Sequence, residues 1–147
     1  MTQSHIVAIG ADHGGFALKT TLVAALRAGG HDVMDMGTDG LASVDYPDFA
    51  LPVCAAVLDG RARFGVLICG TGIGMSIAAN RHAGIRCGLC TDSTMARLTR
   101  QHNDANVLAL GGRIIGDVLA EDILAVFLAT EFEGGRHARR LAKLPTS

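Results

Sequence analysis

The 147-residue chain is 49% apolar and 18% charged, with a formal net charge of -1; this suits one domain with a buried core and excludes a disordered chain. Without tryptophan and with one tyrosine, it offers neither the basic footprint nor the stacking surface of a nucleic-acid binder. The opening MTQSHIVAIGADHGG has no basic segment followed by a long apolar core, and no apolar run reaches the length of a membrane span, so neither a leader nor a membrane partner is expected.

HIVAIGAD (5–12) reads as a strand and FALKTTLVAALRAGG (16–30) as a helix, with Leu18, Leu22 and Leu26 four apart and Gly29-Gly30 as its stop. HDVMDMG (31–37) is a second strand. TDGLASVDYPDF (38–49) is dense in turn formers and reads as a loop. A helix is expected through VCAAVLDG (53–60), its start obscured by Pro52. FGVLIC (64–69) is a third strand, apolar throughout as a strand covered on both faces should be. A helix begins near Ile73 and ends before RHAG. IRCGLC (85–90) is strand four, STMARLTRQHN (93–103) a helix, and NVLALGG (106–112) strand five. The next helix takes Asp117 as its cap and runs through VLAEDILAVFLATEF. After a glycine break, the tail forms a short basic helix within 134–144.

Strands alternating with helices predict an α/β fold: a Rossmann-like three-layer α/β/α sandwich on a five-stranded parallel sheet, as a single domain over 1–147. Ligands of such sheets sit at the carboxyl ends of the strands. Asp12-His13 follows strand one, Cys69-Gly70-Thr71-Gly72 strand three and Gly111-Gly112-Arg113 strand five, so these three turns should crowd one edge.

The middle turn, CGTGIG, carries the chemistry. Glycines at 70, 72 and 74 let a ligand approach the backbone, and amides at the start of the following helix favour an anion. The dinucleotide fingerprint is G-x-G-x-x-G after the first strand; here the pattern is G-x-G-x-G after the third, and no Gly-Lys-Ser/Thr follows as in a P-loop. The turn therefore reads as a cradle for an oxyanion or a small anionic substrate. Cys69 immediately before it is either a small buried hydrophobe or a thiolate favoured by those amides, and its position favours the second.

The remaining thiols read as inert. Cys87 and Cys90 lie in a strand an odd number of residues apart and should face opposite sides of the sheet, and Cys54 lies in an apolar helical stripe. The four cysteines form no disulfide framework and read as reduced thiols of a cytoplasmic protein. None of the six histidines is paired at zinc-site spacing, so no metal is expected. His5, His31 and His82 sit at element ends and should face water. His13 follows Asp12 and is a site candidate, while His102, in RQHNDAN, is either a surface residue of a helix end or functional. Arg136 and Arg140 are four apart and share a helix face. They form either a solvated basic surface or a clamp for one phosphate, and the glycines before them suggest a hinge that carries the tail onto another subunit.

Taken together, ADHGGFALK, DYPDFA, CGTGIGMSIAAN, GIR, RQHNDANVLALGGR and EGGRHARR resemble the signature segments of the type B ribose-5-phosphate isomerase family, which includes galactose-6-phosphate and allose-6-phosphate isomerases. The resemblance runs from the first strand to the tail in the same order. It implies cofactor-free aldose–ketose isomerisation through an enediolate. By the same resemblance Cys69 matches the base, and the Gly70–Gly74 amides, Ile73 among them, match the oxyanion cradle with the Thr71 hydroxyl alongside. His102 matches the ring-opening acid/base. Asp12, Tyr46 and Asn103 match positions that hold sugar hydroxyls, and His13, Arg113, Arg136 and Arg140 those that hold phosphate. Some members place a glutamate base one residue beyond the last glycine of the turn; here that residue is Met75, so this chain resembles the cysteine type. The resemblance further implies a self-sufficient homo-oligomer, dimer or tetramer, with sites at the subunit interface. It leaves ribose 5-phosphate first among substrates, a hexose 6-phosphate second, and a non-catalytic sugar-phosphate binder third.

Overall fold

The computed structural model describes residues 3–146. Strands β1 (Ile6–Ala11), β2 (Asp32–Asp35), β3 (Phe64–Cys69), β4 (Cys87–Leu89) and β5 (Val107–Gly111) pair in parallel in the order β2-β1-β3-β5-β4. Between and after them lie helices α1 (Phe16–Ala28), α2 (Tyr46–Leu58), α3 (Ile73–Ala79), α4 (Ser93–Asn103), α5 (Asp117–Ala129) and α6 (Arg136–Leu141).

The period of two in the strands divides the core. Phe64, Val66 and Ile68 of β3 join Val7 and Ile9 of β1 and pack with α1, α4 and α5 on one face. Leu67 and Cys69 face the other way and pack with α2 and α3. Cys90 belongs to the first cluster and Cys87 borders the second, on opposite faces as their odd spacing requires. Phe64 and Phe127 meet edge to face at 5.3 Å between centroids, an arrangement that adds about 0.5–1.5 kcal/mol beyond the burial of the two rings.

The strand order places the site. From β1 the chain leaves along one face through α1; from β3, its neighbour, it leaves along the other through α3. The two connections diverge and open a crevice above the carboxyl ends of β1 and β3. The register levels those ends, pairing Ala11 with Ile68 and Cys69 with Gly111.

Several expectations are corrected. The segment read as a loop over 38–49 ends in helix: α2 starts at Tyr46 with Asp45 as its cap residue and Pro at its first turn. Asp45, Pro47 and Asp48 are turn formers, yet Pro at a helix start loses no hydrogen bond and Asp48 there suits the helix dipole. Pro52 lies inside this helix and does not begin it. Asp117 is the first helical residue of α5 and not its cap, which is Gly116; its carboxylate accepts from the Thr21 hydroxyl at 3.3 Å. That helix also stops at Ala129, short of the expected end. His5 and His31 are half-buried and stack on each other at 5.8 Å, with the His5 backbone N–H donating to His31 Nδ1; His82 is half-buried too. A buried charge also went unread. Arg100, 3% exposed, donates to the Ala105 and Thr130 carbonyls and to Asp104, closing the end of α4 over the Phe64 ring.

Candidate active site

At the end of β1, Asp12 is 8% exposed and its Oδ1 accepts from the Gly14 backbone N–H at 2.9 Å. His13 Nδ1 accepts from the Val44 N–H at 3.2 Å, which leaves Nε2 as the protonated nitrogen of the neutral ring. This bond ties the first turn to the start of α2, where Tyr46 stands. The Tyr46 ring lies on the first turn of α3, so close that a methyl group on Gly74 would stand 2.8 Å from Tyr46 Cζ.

At the end of β3, Cys69 is 4% exposed and its Sγ accepts from the Gly72 N–H at 3.2 Å. Gly72 reaches that position with a φ of 81°, the left-handed region that favours glycine. The Ile73 N–H donates to the Thr71 hydroxyl oxygen at 3.2 Å, so the Thr71 O–H remains free to donate outward. Two amides of the expected cradle are therefore already committed, Gly72 to the thiol and Ile73 to Thr71. The N–H groups of Gly70, Thr71 and Gly74 have no partner among the described residues. They are the donors left for an anion.

The β5 turn completes this edge. Gly112 N–H donates to the Cys69 carbonyl at 2.8 Å, Arg113 N–H to Gly70 at 2.9 Å, and Asp12 N–H to Ile68 at 3.2 Å. The Arg113 side chain lies over Gly70, within 3.5 Å of where a methyl on Gly70 would sit. The three turns do crowd one edge, and they bring Asp12, His13, Tyr46, Cys69, the glycine turn and Arg113 together.

The other candidate residues stand elsewhere. α4 begins beside the carboxyl edge and runs back along the sheet. Its last residues, His102 and Asn103, therefore lie at the amino edge, where Ala105 and Asn106 lead into β5. Arg136 and Arg140 are exposed on α6, which packs against α4. Within one chain His102, Asn103, Arg136 and Arg140 form a second cluster at the end of the sheet remote from Cys69. Sequence reasoning missed its partners. The His102 ring stacks on His137 at 4.3 Å, and His137 Nε2 lies 3.5 Å from the Glu133 carboxylate. Burial, then the neighbouring Arg136 and His102, lowers the pKa of His137 below the ordinary histidine value. Helical spacing does not account for the Glu133–His137 contact, because Glu133 lies outside α6 and Gly134 and Gly135, both at positive φ, stand between them.

Cys69 differs from the other thiols in its surroundings. Burial pushes Cys54 up to about 11 and Cys90 up to about 12, and raises Cys87 as well, so these three stay protonated and inert at neutral pH. Met75, at the position where the resemblance implies a glutamate base in some members, is fully buried.

The model of the "Ribose/Galactose Isomerase" family matches residues 7–144. Ribose-5-phosphate isomerase B of Escherichia coli is 49% identical over 135 residues, 92% of this chain and 91% of that protein. D-erythrulose-4-phosphate isomerase of Pectobacterium atrosepticum is 42% identical over 139 residues, 94% of this chain and 91% of that one. The structure of ribose-5-phosphate isomerase B from Clostridium thermocellum superposes with a TM-score of 0.93 at 54% identity, covering 94% of this chain and 93% of that chain. With its parallel sheet, its thiol at the carboxyl edge and these relatives along nearly its whole length, the chain belongs to the ribose/galactose isomerase family.

Proposed function

We propose that the chain interconverts ribose 5-phosphate and ribulose 5-phosphate with Cys69 as the base. The observation that carries this reading is the Cys69 sulfur at the mouth of the β1/β3 crevice, held by the Gly72 amide beside amides that have no partner among the described residues. The Cys69 thiolate takes the proton from C2 of the open-chain aldose while negative charge grows on O1. Amides of Gly70, Thr71 and Gly74 meet that charge as preformed dipoles. The thiol returns the proton to C1, and the O2 proton moves to O1, which completes the ketose. Only protons move, so no metal or cofactor is required.

Two further parts follow from the chemistry. The furanose ring must open before C2 can be deprotonated, and His102 serves as that acid/base. The phosphate is held by His13, Arg113, Arg136 and Arg140, and the sugar hydroxyls by Asp12, Tyr46 and Asn103. Because the two clusters lie at opposite ends of one chain, His102 and the α6 arginines serve the Cys69 of a neighbouring copy. The working enzyme is then a homo-oligomer with sites between subunits. Its four free thiols and the absence of a membrane-crossing helix among the described residues fit a cytoplasmic enzyme.

A second reading, another sugar phosphate, is favoured by the 42% identical relative whose name specifies a four-carbon substrate. Chain length changes how far the phosphate stands from the thiol and leaves the proton transfer alone. The test is turnover of ribose 5-phosphate, allose 6-phosphate, galactose 6-phosphate and erythrulose 4-phosphate, with chelator present, by wild type and Cys69→Ala. Highest kcat/KM on ribose 5-phosphate, lost in the variant, is expected. Binding without turnover of any of them would make the chain a sugar-phosphate binder.

A further inference from the structure

His102, Glu133 and His137 each present one ligand atom, and the three atoms lie within 4.8 Å of one another. We propose that these side chains form a site for a divalent first-row transition metal of zinc chemistry, and that metal bound there inhibits the isomerase by holding the His102 imidazole. The inhibitory half rests on the ring-opening role proposed for His102; the metal site does not.

The site is assembled by backbone. Gly134 and Gly135, at φ of 67° and 57°, reverse the chain ahead of α6. The Glu133 N–H donates to the Gln101 carbonyl at 3.1 Å, and the His137 N–H to Gly134 at 3.1 Å. Glu133 is thereby fastened beside the residue that precedes His102, and the reversal at Gly134 and Gly135 brings His137, in the first turn of α6, under both. His137 is 6% exposed, and its Nε2 is buried without a hydrogen-bond partner among the described residues. A buried imidazole nitrogen without a hydrogen bond is unfavourable, and a metal ion supplies a bonding partner.

The donors select the metal. Two imidazoles and one carboxylate suit zinc, cobalt or nickel, whereas magnesium and calcium prefer all-oxygen shells. Bonds of about 2.0–2.1 Å hold tetrahedral zinc ligands roughly 3.4 Å apart, and His137 Nε2 and Glu133 Oε1 already stand at 3.5 Å. The His102 ring, 16° from parallel with His137, must turn to aim its nitrogen at the same point, and as a half-buried residue at a helix end it has room to do so. Water fills the fourth position. Arg136 and Arg140 on the same short helix oppose the added charge, which makes the site reversible and not structural. Once His102 binds metal, its lone pair can no longer accept a proton from the sugar hydroxyl.

The test uses the full chain and cobalt(II) as the probe, in a Cys69→Ala background so that no active-site thiol competes. An intense visible band of tetrahedral cobalt is expected on titration. His137→Ala should weaken the affinity by at least about 10-fold, and Glu133→Gln, an exposed residue whose change leaves the fold intact, should weaken it as well. No cobalt band, or a band unchanged in both variants, overturns the site. In the second arm, wild type and Glu133→Gln are assayed with zinc and then with excess chelator. Reversible inhibition of wild type and resistance of Glu133→Gln are expected. Equal inhibition of both overturns the proposal by placing the inhibitory metal elsewhere. Cobalt held through His137 in the first arm, with wild-type turnover undiminished by zinc in the second, overturns the inhibitory role.

Discussion

The Gly72 backbone N–H donates to the Cys69 sulfur across 3.2 Å, so the amide that opens α3 serves the thiol and not the substrate. The bond fixes the sulfur at the mouth of the β1/β3 crevice, where the proposed base must stand. Cys69→Ala should lower kcat by about 10²–10⁴-fold, the range of general-base contributions, while ribose 5-phosphate still binds in calorimetry. Unchanged turnover in the variant removes the thiol from the mechanism.

Gly72→Ala tests the turn itself. At φ 81° a side chain is strained, and its Cβ would stand 2.6 Å from Leu89 Cδ1 and 2.9 Å from the Leu110 carbonyl carbon. The variant should lose at least about 1–3 kcal/mol of stability in urea unfolding, together with turnover, because the bond to Cys69 moves with the backbone. Wild-type stability would show that the turn relaxes freely.

Mixing two inactive variants tests the shared site. If His102 serves the Cys69 of a neighbour, each mixed dimer of Cys69→Ala and His102→Ala contains one intact site. Co-refolding the two in equal amounts should restore about a quarter of wild-type turnover under random pairing. No recovery, with mixed oligomers verified by mass, would place both groups of a site in one chain.

Arg140 is exposed on α6 and is assigned to the phosphate, which is present before and during the reaction. Arg140→Ala should raise KM by about 10- to 100-fold, the worth of one charge-assisted contact, with a smaller change in kcat. A kcat loss with KM unchanged would mean that the guanidinium acts only in the transition state.

His5 sets a pH dependence of stability. Burial first, then the nearby His31, Arg63 and Arg100, disfavours its charged form, and a hydrogen bond with the Leu128 backbone offsets only part of this. The folded chain thus takes up the proton at lower pH than the unfolded chain does. This contribution is fully present above about pH 6.5, the unfolded value, and is lost as pH falls from there through the lower folded value. The melting temperature should drop between pH 7 and 5, and drop less in His5→Gln. Identical slopes would assign the dependence to other groups.

What the sequence determined by itself is everything carried by local pattern. The period of two set which β3 residues face which layer, so the separation of Cys87 from Cys90 and the burial of Cys54 were readable beforehand. Glycine spacing marked the turn after β3, because few residues accept the left-handed backbone that Gly72 adopts. Alternation of strands and helices implied that the turns bearing Asp12, Cys69 and Arg113 share an edge, since every parallel strand ends at the same side. The start of α2 was misread because Asp and Pro serve turns and helix starts equally, and only packing against the sheet decides between them. Tertiary structure alone decided three things. It committed the Gly72 amide to the Cys69 sulfur, a distance that no spacing encodes. It brought His102 against Glu133 and His137, both far from it in the chain, where the Glu133 N–H donates to the Gln101 carbonyl. And it set His102 at the end of the sheet opposite Cys69, because a helix that leaves the carboxyl edge must run back to the amino edge before the next parallel strand can begin.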